Sequence, residues 1–306
     1  MSKRILQKSL RKIIRRSQNW SIGIYVGDCP LTLRPPLNIT NPVLTADDVT
    51  DIPAEFVADP FMVNHKNKWY MFFEVFNLQD QLGDIALATS DDGFSWTYEK
   101  VVLDENFHLS YPYVFRRNNE YYMIPETYQD NSIRLYKSVS FPHTWSLEKK
   151  LLEGYPYVDT CVFNFKNLWW LFTSTTACDT LRLFYSHDLY GPWVEHPKSP
   201  IIENDSSCAR PGGRVIFFNG LLLRYTQDDK DSYGARVHAF VITELTTESY
   251  HEEIAERSVL CGSGTGWNKS GMHHVDPHRL QQDHWLASVD GCCQSLHIKP
   301  GLRFCY

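Results

Sequence analysis

Five times along the chain, a short opening motif is followed about ten residues later by a run rich in aromatic or aliphatic residues. Ala58-Asp59-Pro60-Phe61 precedes Trp69-Tyr70-Met71-Phe72-Phe73-Glu74, and Ser110-Tyr111-Pro112-Tyr113 precedes Tyr121-Tyr122-Met123-Ile124-Pro125-Glu126. Val158-Asp159-Thr160-Cys161 leads to Trp169-Trp170-Leu171-Phe172, and Ala209-Arg210-Pro211-Gly212-Gly213 leads to Leu221-Leu222-Leu223-Arg224-Tyr225. The fifth pair is His274-Val275-Asp276-Pro277 with Trp285-Leu286-Ala287-Ser288. The openings fall at 59, 111, 159, 210 and 276, an internal period near 50 that signals a repeat architecture. Further strand-like runs follow, among them Ile85-Ala86-Leu87-Ala88, Ile133-Arg134-Leu135-Tyr136 and Leu181-Arg182-Leu183-Phe184-Tyr185. Four strands per repeat of this length make a propeller blade, so the pattern predicts an all-β, five-bladed β-propeller. An open β-sandwich is the competing architecture.

The long last interval holds the loop-like Cys261-Gly262-Ser263-Gly264-Thr265-Gly266. The fifth repeat runs out after Leu296-His297-Ile298. Near the other end, Ile22-Gly23-Ile24-Tyr25 and Asn41-Pro42-Val43-Leu44-Thr45 look like the second half of a blade. The N-terminal segment is therefore expected to complete the last blade and close the ring, which removes exposed sheet edges. On this reading residues 21–306 are the propeller and residues 1–20 a basic amphipathic helix or tail.

Charge sharpens that division. Residues 1–16 carry seven Lys or Arg and no acid, with Ile5, Leu6, Leu10, Ile13 and Ile14 at helical spacing. A basic amphipathic helix suits an anionic membrane surface, while a solvated tail and a dock for a partner protein are the other readings. The remaining 23 basic residues face 36 acidic ones, a net charge near −13 that argues against a nucleic-acid partner. No apolar run reaches the ~20 residues needed to cross a bilayer, and no signal peptide is expected. The eight cysteines are scattered apart from Cys292-Cys293, which points to a reducing, cytoplasmic setting, peripheral on the inner face of the membrane where the helix meets lipid. Nine Trp, 17 Tyr and 17 Phe suit a β core and also offer stacking faces for sugar rings.

In a propeller the innermost strand of each blade lines the central channel, so residues about 50 apart become neighbours. Around the ring these are Asp59, Tyr111, Asp159, Arg210 and Asp276, with His273 and His274 beside the last. Glu74 and Glu126 each lie fifteen residues after an opening residue, and Asp290 holds the comparable place in the last blade. Both glutamates end strongly apolar runs, where an unpaired carboxylate is costly, so they should be paired or open to the channel mouth. Carboxylate pairs in a cleft suit glycosidic chemistry, one as acid and the other as base or nucleophile. Arg210 could grip a ligand carboxylate or phosphate, and the polar stretch from Trp267 to His278 offers further hydrogen-bonding groups. A salt-bridge network that ties the blades together is the alternative. The histidine spacing matches no zinc pattern, so no metal is expected. No dinucleotide, phosphate-loop or nucleophile-elbow motif occurs, so no cofactor is expected either.

Four runs resemble one known domain: Phe56-Val57-Ala58-Asp59-Pro60-Phe61-Met62, His108-Leu109-Ser110-Tyr111-Pro112-Tyr113-Val114-Phe115, Ala209-Arg210-Pro211-Gly212-Gly213-Arg214 and Gly271-Met272-His273-His274. It is the N-terminal domain of plant glucosamine inositolphosphorylceramide transferases, which also occurs in bacterial chains, and the likeness covers roughly residues 20 to 291. The resemblance implies a propeller similar to glycoside hydrolase families 43, 32 and 68, and a setting in glycolipid or surface-polysaccharide assembly. It implies that Asp59 takes the place of the general base and Asp159 that of a pKa-tuning aspartate. Two departures stand out. The plant proteins carry a separate C-terminal glycosyltransferase domain that this sequence lacks, and Arg210 stands where family 43 offers its acidic glutamate. Glu74 or Glu126 would then supply the acid.

The expectation is an enzyme that forms or breaks a glycosidic bond in a surface glycan or glycolipid precursor. Its catalytic candidates are Asp59, Asp159, Glu74 and Glu126. Its substrate-binding candidates are Tyr111, Arg210, Trp267, His273, His274, Asp276 and Asp290. The alternative is a non-catalytic glycan-binding propeller that serves as adaptor for a separate glycosyltransferase.

Overall fold

The computed structural model describes residues 14–281 and 283–298. The apolar runs form strands in five antiparallel sheets, one per blade. After β1 (Ile14–Gly27), blade one is β2 (Ala54–His65), β3 (Lys68–Asn77), β4 (Leu82–Ser90) and β5 (Thr97–Leu103). Blade two is β6 (Ser110–Arg117), β7 (Glu120–Glu126), β8 (Ser132–Ser140) and β9 (Thr144–Glu153). Blade three is β10 (Tyr157–Phe165), β11 (Leu168–Thr175), β12 (Leu181–Ser186) and the two-residue β13 (Val194–Glu195). Blade four is β14 (Ile216–Phe218), β15 (Leu221–Asp228), β16 (Arg236–Leu245) and β17 (Tyr250–Cys261). Blade five joins β18 (Val275–Gln281) and β19 (His284–Ile298) to β1.

Local chemistry explains the tight first turn of the blades. Lys66-Asn67, Asn118-Asn119, Lys166-Asn167 and Asn219-Gly220 all have positive φ, between 50° and 84°. Two such residues in a row make the type I′ turn whose twist matches a hairpin, and Asn and Gly tolerate it best. Between blades the aromatic residues interlock. Phe72 meets Trp145 edge-on at 5.4 Å, Phe172 meets Tyr250 at 5.8 Å, and Phe218 meets Trp285 at 5.8 Å. Phe72 and Phe172 have no exposed surface, and burying one such ring contributes about 2–3 kcal/mol.

The ring closes as expected. β1 pairs with β19 in unbroken register from Ile14 opposite Ile298 to Gly27 opposite Trp285. The expected outer strand at 41–45 is reduced to one bridge, in which Ile22 N–H donates to the Leu44 carbonyl at 2.9 Å.

Two local expectations need correction. The fourth opening, Ala209–Gly213, is not a ladder strand. It is tied by a bridge from Pro211 to Thr226 and by a parallel bridge from Gly213 to Val275 of blade five. Gly213 is at φ 149°, and a Cβ there would sit 1.9 Å from the Val275 carbonyl oxygen, so only glycine fits. At the N-terminus, residues 14–20 are strand rather than helix, because they are captured by the free edge of β19. The rest of the expected basic helix, residues 1–13, lies outside the described residues. Among the described residues no helix is long and apolar enough to cross a membrane.

Candidate functional site

Three bulges build the site. The ladder slips between Ala58 and Phe61, between Ser110 and Tyr113, and between Val158 and Cys161. At each slip the opening residue is left-handed: Asp59 at φ 53°, Tyr111 at 45° and Asp159 at 48°. None of these is glycine, so each costs on the order of 1–3 kcal/mol, and strain repeated at one place in three blades marks a site. The bulge amides turn inward and a carboxylate from the neighbouring blade receives each. Asp59 N–H donates to Asp290 Oδ2 at 3.2 Å, Tyr111 N–H to Asp59 Oδ2 at 3.3 Å, and Asp159 N–H to Glu126 Oε2 at 3.2 Å.

Two cations stand among these acids. Arg210 Nε bonds Asp159 Oδ2, and its Nη2 lies 3.6 Å from Glu126 Oε2. Gln227 Nε2 also donates to Asp159 Oδ2, at 2.7 Å. His273 Nδ1 lies 2.7 Å from Asp290 Oδ2 and 3.9 Å from Asp59 Oδ1. Burial alone would lower the His273 pKa, but the Asp290 carboxylate overcomes it and raises it to about 9. His273 is therefore an imidazolium at neutral pH. In return its charge holds Asp290 below the usual carboxylate range against the effect of burial.

The other two histidines are held neutral, mainly by burial, at about 4 each. Gly83 N–H donates to His108 Nδ1 at 2.9 Å. The His108 proton must then sit on Nε2, which faces Glu74 Oε1 at 3.5 Å.

Glu74 thus lacks a close cation, and Asp59 has only the more distant His273, whose nearer partner is Asp290. Burial raises Asp59 to about 7 against the pull of His273, with Asp159 and Asp290 adding to the rise. Burial and then the charges of Asp59, Glu126 and Asp159 push Glu74 well above the carboxylate range. Burial and Asp159 do the same to Glu126, with Arg210 opposing. Asp59 Oδ1, Asp159 Oδ1 and both ring nitrogens of His274 are buried with no hydrogen-bond partner among the described residues. Unsatisfied buried polar atoms are rare, and a cluster of them leaves room for a polar ligand or water. Asp59, His273 and Asp290 also offer three donor atoms within 4.8 Å of one another, though a metal ion would have to displace the His273 proton first.

An aromatic wall flanks the cluster. Trp20 stacks flat on His273 at 4.0 Å, and Tyr233 stands edge-on to both. Arg210 lies 5.3 Å from the Tyr233 ring, which remains 42% exposed. The glycine after it is obligatory, since a Cβ on Gly234 (φ 66°) would meet Trp20 at 2.6 Å.

Of the residues expected at the site, Asp59, Glu74, Glu126, Asp159, Arg210, His273, His274 and Asp290 converge. Three do not turn toward a ligand. The Tyr111 hydroxyl is consumed by the Gly213 backbone, accepting from its N–H at 2.9 Å and donating to its carbonyl at 3.2 Å. Asp276 is completely buried and bound to Arg214 at 2.7 Å, His278 at 2.8 Å and Met62 N–H at 2.7 Å. Trp267 packs over Gly23 and Gly291 within blade five. Sequence reasoning missed Trp20, His108, Gln227 and Tyr233. Gln227 was recoverable, because it lies next to last in the second strand of blade four, close to the place where Glu126 ends that of blade two. Tyr233 sits on an irregular loop with no repeat to mark it.

A family profile described as "Glucosamine inositolphosphorylceramide transferase 1, N-terminal" matches residues 15–292. The chain belongs to this family. Glucosamine inositolphosphorylceramide transferase 1 of Oryza sativa subsp. japonica is 37% identical over 297 residues, covering 89% of this chain and 40% of the relative. The chain thus spans about 40% of the length of this curated relative. Among solved structures, beta-1,2-mannobiose phosphorylase from Listeria innocua superposes with a TM-score of 0.62 at 12% identity, over 82% of this chain and 94% of that one. A thermostable family-43 glycoside hydrolase gives a TM-score of 0.50 at 14% identity, over 66% of this chain and 75% of that one. These two likenesses establish the shared propeller fold and nothing finer.

Proposed function

We propose that the channel takes the sugar of a glycolipid or surface-glycan precursor, and that Asp59 and Glu74 form or break its glycosidic bond. The observation that carries this is a pair of buried carboxyls with different proton affinities, beside polar atoms that the fold leaves unpartnered. Divergent affinities in one site divide the roles of acid and base. Glu74 keeps its proton at neutral pH and can give it to the leaving oxygen. Asp59 ionises near neutrality and can accept the proton of the attacking hydroxyl or water. Arg210 fixes Asp159 and Glu126, and the exposed face of Tyr233 suits the apolar side of a sugar ring. The glycolipid setting follows the name of the family's plant members.

One observation favours a second reading, a sugar-binding module without catalysis. Arg210 consumes Asp159 and Glu126 as ion-pair partners, so only Asp59 and Glu74 remain to do chemistry. A glycan-array screen of the purified chain, with the bound glycans re-incubated and weighed by mass spectrometry, tests both. A glycan whose mass changes with native protein but not with Asp59→Asn supports the enzyme. Equal affinity in both proteins with no change in mass overturns it.

A further inference from the structure

Glu74 ends an apolar run, and one wall of its surroundings is built around a single glycine. In the β3–β4 ladder Glu74 faces Ile85, and Phe76 faces Gly83. Gly83 meets the chain as it crosses from blade one to blade two. Its N–H donates to His108 Nδ1 at 2.9 Å, and its carbonyl accepts from Leu109 N–H at 2.8 Å. A Cβ on Gly83 would lie 2.2 Å from the Leu109 carbonyl oxygen, 2.8 Å from His108 Cε1 and 2.9 Å from Glu74 Oε1. Only a residue without a side chain lets these three groups close in on one another.

His108 has little freedom there. Its own N–H donates to Gln129 Oε1 at 2.9 Å, and the rings of Phe76 and Tyr128 flank its imidazole at 6.5 and 5.9 Å. Because Nδ1 accepts from Gly83, the proton of the neutral ring is fixed on Nε2, 3.5 Å from Glu74 Oε1. At that distance the donor is poised rather than bonded. Contacts of this kind tighten when a substrate is bound. Arg210 also acts on Glu74, but its guanidinium is taken up by Asp159 and Glu126.

We propose that His108 is the positioning residue of Glu74: by presenting Nε2–H to Oε1 it leaves the acid's proton on Oε2, and it donates to the carboxylate once that proton has gone. In the transfer the O–H bond of Glu74 breaks and one forms on the leaving oxygen, while His108 keeps its proton throughout. Burial and the charges of Asp59, Glu126 and Asp159 all favour the protonated carboxyl. A donor aimed at the ionised form is the counterweight that lets such a proton leave. The assignment rests on the function proposed above, which makes Glu74 the acid.

Two substitutions separate this role from support of the backbone. In His108→Asn the side-chain oxygen can still accept from Gly83 N–H, but no donor reaches Glu74. In His108→Gln an amide N–H can reach Glu74, and Gly83 N–H loses its acceptor. The ionisation of Glu74 is read in the infrared from its protonated carboxyl band, assigned as the band absent from Glu74→Gln. The midpoint should move to higher pH by about one unit in His108→Asn and stay near native in His108→Gln. The reverse order, equal shifts in both, or no shift in either would overturn the proposal. Nitrogen NMR of the native protein needs neither variant to fold. It should place the His108 proton on Nε2, with a signal that moves as Glu74 ionises and shows no such movement in Glu74→Gln. A proton on Nδ1, or an Nε2 signal indifferent to Glu74, would equally overturn it. No sugar enters these measurements, so this assignment and the glycan chemistry fail separately.

Discussion

Replacing Asp59 by Asn should stabilise the protein, and the gain should grow with pH. The folded state holds the Asp59 carboxyl at about 7 against an ordinary 3.8, chiefly through burial. A raised carboxyl favours folding fully below its unfolded value, and that contribution is lost as pH climbs through the folded one. At ~1.4 kcal/mol for each tenfold difference in proton affinity, the gap between 3.8 and about 7 amounts to about 4 kcal/mol lost by pH 8. Asn cannot ionise, and its oxygen still accepts the Tyr111 N–H, so the variant avoids most of that loss. Part of the gain is given back, because Asp59 also helps to hold the charge on His273. The net expectation is a variant about 2–4 kcal/mol more stable than the native protein at pH 8 and nearly equal to it at pH 4. Urea unfolding followed by tryptophan fluorescence across that range reads the difference directly. A gain that does not change with pH, or a variant less stable at pH 8, would refute the account of Asp59 as a buried acid that His273 compensates only in part.

The remaining predictions use the same protein and assays. Arg210→Met leaves Asp159 and Glu126 buried without their cation and should cost about 3–5 kcal/mol at pH 7, measured by the same urea titration. Gly213→Ala pushes a methyl group against the Val275 carbonyl oxygen at 1.9 Å, and a loss of at least ~3 kcal/mol or failure to fold should follow. Tyr233→Ala removes an exposed ring, so stability should stay within about 0.5 kcal/mol of native. Affinity for an array-positive glycan should fall about 5- to 10-fold, as measured by titration calorimetry.

Whatever repeats with the blades was legible in the chain. The openings at Asp59, Tyr111 and Asp159 recur at one spacing because each sits at the same bulge, and the glutamates follow because strand length sets where the second strand returns. The fifth blade's debt to the N-terminus was legible because a propeller with an open seam exposes a sheet edge. Direction was not legible. A period near 50 places Asp276 and Tyr111 at the channel without saying that Arg214 claims one and Gly213 the other. Nor does periodicity reach the loops, so Tyr233 and the stacking of Trp20 on His273 left no signal in the sequence. The helix expected over residues 1–20 rests on apolar spacing that ends at Ile14, so residues 14–20 carry no helical pattern of their own, and the free edge of β19 makes them strand.

The contest between a binding site and a buried ion-pair network has a physical answer, since the fold contains both. Arg224 has no exposed surface and meets Glu252 through two bonds of 2.9 and 2.6 Å, with the Cys208 carbonyl taking another of its donors. Arg214 and Asp276 are matched as fully, with His278 and the Met62 amide on the same carboxylate. Those groups are closed, because nearly every lone pair and proton has a partner within the protein: the Arg224 pair ties strands within blade four, and the Arg214 set locks blades one, four and five together. The channel set is built from the same residue types and left open. It has more carboxylates than cations, two aspartate oxygens and a whole imidazole without partners, and three left-handed residues holding the walls in place. Buried polar groups left in that state lower stability by amounts that packing must offset elsewhere. A network kept only for stability would have no reason to retain them, so the open part of the channel is the part that function maintains.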